Sequence, residues 1–210
     1  MSMTRRQALK SLVLGSGLVL SSASVLSVLN LAHSQVTGEQ FTPVFLNAEQ
    51  VKTLRGMARV IIPKSDELPG AEDVPVVPFI DVLYDRLMSE DEKTKFLAGL
   101  ALVQAKFLAQ AGKAFNVASN QEQHDFVVSL YEHSPEQTEA ILNMIESGSA
   151  PSGKADEFTL YSFLFNVRAL TLEGYFQSEL VGETVLAYLP IPGGFDANVK
   201  VGENTRAWSI

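Results

Sequence analysis

The chain has 210 residues, 16 Lys and Arg against 24 Asp and Glu, a formal net charge of -8 and no cysteine. That length suits one ordinary domain with a substantial core once any leader is set aside. The acidic balance argues against nucleic acid and anionic lipid as partners. The missing thiols exclude disulfides, thiolate-held zinc, iron–sulfur clusters and haem attached through Cys-x-x-Cys-His.

The first segment reads as an address. Thr4-Arg5-Arg6-Gln7-Ala8-Leu9-Lys10 precedes an uncharged apolar run over residues 11–32, diluted by Gly15, Gly17 and several serines. Arg5 and Arg6 ahead of such a run, with Leu9 and Lys10 behind them, are the pattern of a twin-arginine export signal, a route that carries proteins already folded. The run is also long enough to span a bilayer. Its serines and glycines favour a removable signal over an anchor. Residues 1–34 are therefore expected to be the leader, with removal near residues 32–34, and an uncleaved anchor is the alternative. Removal of Arg5, Arg6 and Lys10 with no acid takes the formal charge from -8 to -11.

From Asn47 the chain reads as helices. Asn47-Ala-Glu-Gln50 predicts a capping box, followed by Val51, Leu54, Ala58, Ile61 and Ile62 at helical spacing until Pro63. Residues 64–75 form an acidic loop punctuated by Pro and Gly. Pro78 suits a first helical position, with Phe79, Ile80, Leu83 and Leu87 as the apolar stripe. Ser89–Glu92 predicts a second capping box, opening a long helix with Phe96, Leu97, Leu100, Val103, Phe107 and Leu108 inward and Gly112 closing it. Ser119–Glu122 predicts a third box, ahead of Phe126, Val127, Leu130 and Tyr131. Ser134-Pro135 starts a helix through Ile141, Met144 and Ile145, and residues 148–153 are a linker. Asp156 introduces the apolar stretch 158–172, and a further helix is expected through Tyr175, Phe176, Leu180 and Leu186. Pro190-Ile-Pro-Gly-Gly-Phe195 cannot continue a helix, so residues 190–210 are expected to be an extended tail lying on the domain or on a partner. The expected architecture is all-α: one compact domain of six or seven helices over residues 35–210, between the signal segment and the tail.

Chemistry is hard to find. His124 and His133 flank a predicted helix break among surface-type neighbours and read as solvated, and His33 lies at the leader boundary. Asp66, Glu67, Glu72 and Asp73 share one loop and could hold calcium, but their spacing fits no EF-hand, and a solvated loop is the better reading. Glu173, Glu179 and Glu183 lack the His-x-x-Glu partners of a di-iron site. No nucleophile elbow, dinucleotide fingerprint or phosphate loop is present, so no catalytic residue, metal ligand or cofactor is assigned to this chain. Aromatic residues instead crowd the last quarter. Phe163 and Phe165 read as core, whereas Tyr175, Phe176, Phe195 and Trp208 sit in helix-end or Gly/Pro-rich settings that suit a partner surface equally well.

These motifs, taken in order, resemble the small subunit of FAD-dependent dehydrogenases, the gluconate 2-dehydrogenase subunit 3 family. The resemblance rests on the twin-arginine leader, Leu46–Gln50, Ile61-Ile62-Pro63, Pro69-Gly70-Ala71 and Val77–Asp81. Its most specific part is Leu170-Thr-Leu-Glu-Gly-Tyr-Phe-Gln-Ser-Glu179, then Val185–Tyr188, Ile191–Asp196 and Arg206-Ala207-Trp208. One departure is Ala197-Asn-Val-Lys-Val201, where many members resemble Gly-Cys-Val-Pro-Leu.

The resemblance implies a non-catalytic subunit that escorts a leaderless flavoprotein of the glucose–methanol–choline type through the twin-arginine translocase to the periplasm. FAD is expected in that partner, and a cytochrome c subunit completes many such complexes. Membrane association would come through the complex or a retained signal. Partner contacts are expected from Tyr175, Phe176, Glu179, Pro192, Gly193, Phe195 and Trp208. An independent exported metalloenzyme and a solitary exported helical binding protein are the competing expectations.

Overall fold

The structure, a computed structural model, describes residues 41–187 together with Val28, Lys200, Gly202 and residues 205–207. Over these residues the protein is all-helical: α1 Ala48–Ile61, α2 Val76–Leu87, α3 Glu90–Ala111, α4 Asn120–Tyr131, α5 Pro135–Glu146, α6 Ala155–Phe176 and α7 Glu179–Thr184. A short 3-10 turn, Phe115–Val117, joins α3 to α4. The other residues of the predicted leader, Arg5, Arg6, Leu9 and Lys10 among them, and Pro192, Gly193, Phe195 and Trp208 of the predicted tail lie outside the described residues. Val28, within the predicted leader, is buried against the core.

The helix starts follow the predicted caps. Asn47 with Gln50, Ser89 with Glu92, and Ser119 with Glu122 each form a reciprocal capping box, as does Ser134 with Gln137 ahead of Pro135. Each box satisfies amide donors that the first turn leaves without helical partners. Gly112 ends α3 at φ 67, the left-handed conformation that a side chain disfavours.

Two boundaries and the burial of two leucines differ from the sequence expectation. Helix α2 begins at Val76, two residues before Pro78. Leu87 and Leu108, expected inward, are about half exposed; Leu87 is the last residue of α2 and Leu108 stands in the last turn of α3. Tyr175 and Phe176 belong to the end of α6 and not to a later helix.

Helix α6 is the hub. It packs chiefly on α3 and α2, with α5 and α1 also against it, which explains an apolar sequence on more than one face. Close approach is secured by small residues. A Cβ on Gly99 of α3 would stand 2.2 Å from Phe163 Cβ, and one on Gly174 of α6 would stand 2.8 Å from Phe79 Cδ1. Around these crossings lie two aromatic groups. Phe45, Tyr84, Phe96 and Phe163 form one chain, with neighbouring ring centroids 4.1–5.3 Å apart along it. Phe107, Phe115 and Phe126 form a second group near the α3–α4 connection. Among the described residues no helix is long and apolar enough to cross a membrane.

Candidate functional site, the carboxyl end of helix 6

The segment that carries the family resemblance, residues 170–179, folds as a corner. Thr171 is buried, and Gly174 lets α6 meet Phe79. Tyr175 is only 4% exposed, and its hydroxyl donates to Pro69 O at 2.7 Å. Gln177 Nε2 donates to the Glu173 carboxylate one turn back. Ser178 Oγ donates to Tyr175 O at 2.7 Å, closing α6 before α7 begins. Burial pushes the Glu173 carboxyl above its ordinary range, and pushes the Tyr175 phenol up with help from the Asp73 charge.

Pro69 belongs to the acidic loop, which is tied down from within. Asp73 accepts from Lys64 Nζ and Gly70 N, both at 2.8 Å, and these two partners, Lys64 first, hold its carboxyl below the usual range. Ala71 N donates to Ile62 O at 2.9 Å. A Cβ on Gly70 would lie 2.6 Å from Lys64 N, so the loop closes only with glycine there. Glu72 pairs with Arg59 at 3.4 Å, and Arg59 also donates to Gln123 Oε1 at 2.6 Å. Glu72 and Asp73 are thus committed to cations, which leaves Asp66 and Glu67 exposed at the tip. Among the described residues no group of three or more acidic or histidine side chains gathers as metal ligands.

The Tyr175–Pro69 bond brings two exposed apolar residues to one end of the molecule, Leu68 in the loop and Phe176 on α6. Phe176 is 47% exposed and Leu180, four residues on in α7, is 42% exposed. Glu179, Glu183, Asp66 and Glu67 are exposed around them. The result is an apolar centre framed by carboxylates, held on a rigid corner. Of the predicted partner residues, Phe176 and Glu179 face outward here. Tyr175 does not: its ring packs inward and its hydroxyl anchors the loop. The tail also returns to this end, since Ala187 N donates to Ala207 O at 2.7 Å and Arg206 donates to Thr184 O at 3.1 Å.

Two residues carry more than their sequence setting suggested. Asp81 is fully buried, and its carboxylate accepts the amides of Val44, Phe45 and Leu46 at 2.7, 3.0 and 2.7 Å. Three charge-assisted bonds make it the clamp that fixes the segment leading into α1. An acid inside an otherwise apolar run, Val76–Tyr84, was the available signal. His133, read as solvated, is half buried. Its ring stands edge-on to Tyr161 with centroids 5.2 Å apart, and its Nε2 is shielded from solvent without a hydrogen-bond partner. Pro135 turns the chain directly into α5, which folds His133 back toward α6. His124 is exposed, as expected.

A search of curated proteins and of solved structures finds no match to the chain. The family profile described as gluconate 2-dehydrogenase subunit 3 matches residues 48–193. That span covers the seven helices and the corner at residues 170–179, so the chain belongs to the gluconate 2-dehydrogenase subunit 3 family.

Proposed function

We propose that this protein is the non-catalytic small subunit of a periplasmic, FAD-dependent sugar or alcohol dehydrogenase. It escorts a leaderless flavoprotein of the glucose–methanol–choline type through twin-arginine export and supports that partner's maturation. The family is that of a subunit of a dehydrogenase complex, which supports the accessory role. The observation that carries the reading is the exposed Phe176–Leu180 pair, set in an acidic frame on the corner built by the family-specific segment. Aromatic and aliphatic side chains fixed at a rigid surface are effective anchors, because little conformational freedom remains to be lost on binding. The acidic rim favours a partner patch edged with Lys and Arg, so assembly should be faster at low salt. Arg5 and Arg6 supply the address and FAD stays with the partner, where a cytochrome c subunit can accept its electrons.

The test is to express the flavoprotein with and without this chain. Flavin loading and periplasmic delivery of the partner should both fall when the chain is absent, and normal loading and delivery without it would end the proposal. Replacing Arg5 and Arg6 together by lysine should hold both subunits in the cytoplasm.

A further inference from the structure

Val28 does not behave as part of a disposable leader. It is helical, only 2% exposed, and belongs to the same buried cluster as Leu54, Phe79 and Val167. A cut near residues 32–34 discards this side chain and leaves a gap in the apolar core where it sat. Such a cut also suits a signal peptidase poorly. With Ala32 as the last leader residue, Asn30 falls two positions earlier, where a small side chain is needed.

The sequence offers a better bond upstream. Ser21-Ser22-Ala23 is small at both required positions. It follows a basic start, Arg5, Arg6 and Lys10, and the uncharged stretch Leu12–Leu20, whose length lies inside the roughly 7–15 residues of a signal's apolar part. Beyond Ala23 the pattern changes: Val25, Val28, Leu29 and Ala32 recur at i, i+3, i+4 and i+7, the period of a helix face that packs on a core. In the sequence the two stretches merge into one apolar run, and the burial of Val28 separates them. We propose that the leader ends at Ala23 and that the chain from Ser24 onward stays with the mature domain. The proposal rests on the export reading above. A signal peptidase hydrolyses the Ala23–Ser24 peptide bond, water leaving a carboxylate on Ala23 and an amine on Ser24, and Val28 keeps its place in the core.

The full chain would be co-expressed with its flavoprotein, recovered from the periplasm and read by intact mass and amino-terminal sequencing. The mature chain should begin at Ser24. Ala23→Leu, which puts a bulky side chain beside the scissile bond, should leave the leader attached, whereas Ala32→Leu should be cut as the parent is. In the processed protein Val28→Ala should lower the melting temperature by a few degrees. A periplasmic chain that begins anywhere else, or that keeps its leader, would overturn the proposal. So would normal cutting of Ala23→Leu, or an unchanged melt for Val28→Ala. Retention of the whole uncut chain in the cytoplasm would end the export reading and this proposal together, while a periplasmic chain beginning at His33 would end this proposal alone.

Discussion

The middle of α6 and its carboxyl end use apolar side chains in opposite ways. Phe163, Leu164 and Val167 are buried, with Gly99 of α3 admitting Phe163 at a separation that a Cβ would not allow. Thirteen residues after Phe163, Phe176 is held just as firmly by its backbone yet leaves about half its surface in water. The difference lies in what surrounds each turn. The middle has a partner helix on more than one side, whereas the end is fixed by the Tyr175–Pro69 and Ser178–Tyr175 bonds, which hold the corner without covering it. Rigidity and burial are therefore separable along one helix. The sealed part supplies stability, and the open end leaves its apolar surface uncovered, where the proposed partner would sit.

Substitutions can break that contrast, and the largest effect is expected at Asp81. Asp81→Ala would strand the buried Leu46 amide and the part-buried amides of Val44 and Phe45, and should lower unfolding free energy by about 3 kcal/mol, read from chemical denaturation. Next comes Gly99→Ala. The helix gains up to about 1 kcal/mol in propensity. The new methyl group, however, meets the Phe163 Cβ, which cannot swing away, and overpacking costs about 1–3 kcal/mol. Net destabilisation is expected, read as a lower midpoint of chemical denaturation for the Gly99→Ala chain.

Tyr175→Phe sharpens the comparison at the open end. Loss of the bond to Pro69 should cost about 1 kcal/mol and raise amide exchange in residues 64–73, leaving α3 unchanged. The smallest effect concerns acid. The Lys113 ammonium first, then the Ser119 amide and hydroxyl, hold the exposed Glu122 carboxyl at about 2, against an ordinary 4.5. A depressed carboxylate contributes stability that is complete above the unfolded value and is lost as pH falls toward the folded one. Thermal melts of Glu122→Gln should therefore drop less than those of the parent between about pH 4.5 and about pH 2.

Much of the fold was legible because capping is local chemistry. Asn47, Ser89 and Ser119, each three residues before Gln or Glu, mark helix starts without reference to anything distant. Helix ends were harder. Leu87 and Leu108 keep the apolar period yet are about half exposed, and only tertiary placement reveals that. The α6–α7 break was misplaced because Tyr175 and Phe176 differ in role by one residue: a hydrogen bond to Pro69, 106 residues away, buries the first and exposes the second. Asp81 and His133 escaped for the same reason, since the groups that define them lie on other elements. Phe176 and Glu179 were visible as candidates through the family motif, whereas Leu68 and Leu180 emerged only from the packed corner.

The central claim is that the carboxyl end of α6 seats the flavoprotein. Co-purification of flavin with this subunit tests it directly, comparing Phe176→Ser/Leu180→Ser with Leu108→Ser, which removes an equally exposed apolar residue elsewhere. The double variant should melt like the parent and lose most of the bound flavoprotein, while Leu108→Ser keeps it. Full retention of the flavoprotein by a folded double variant would contradict the account.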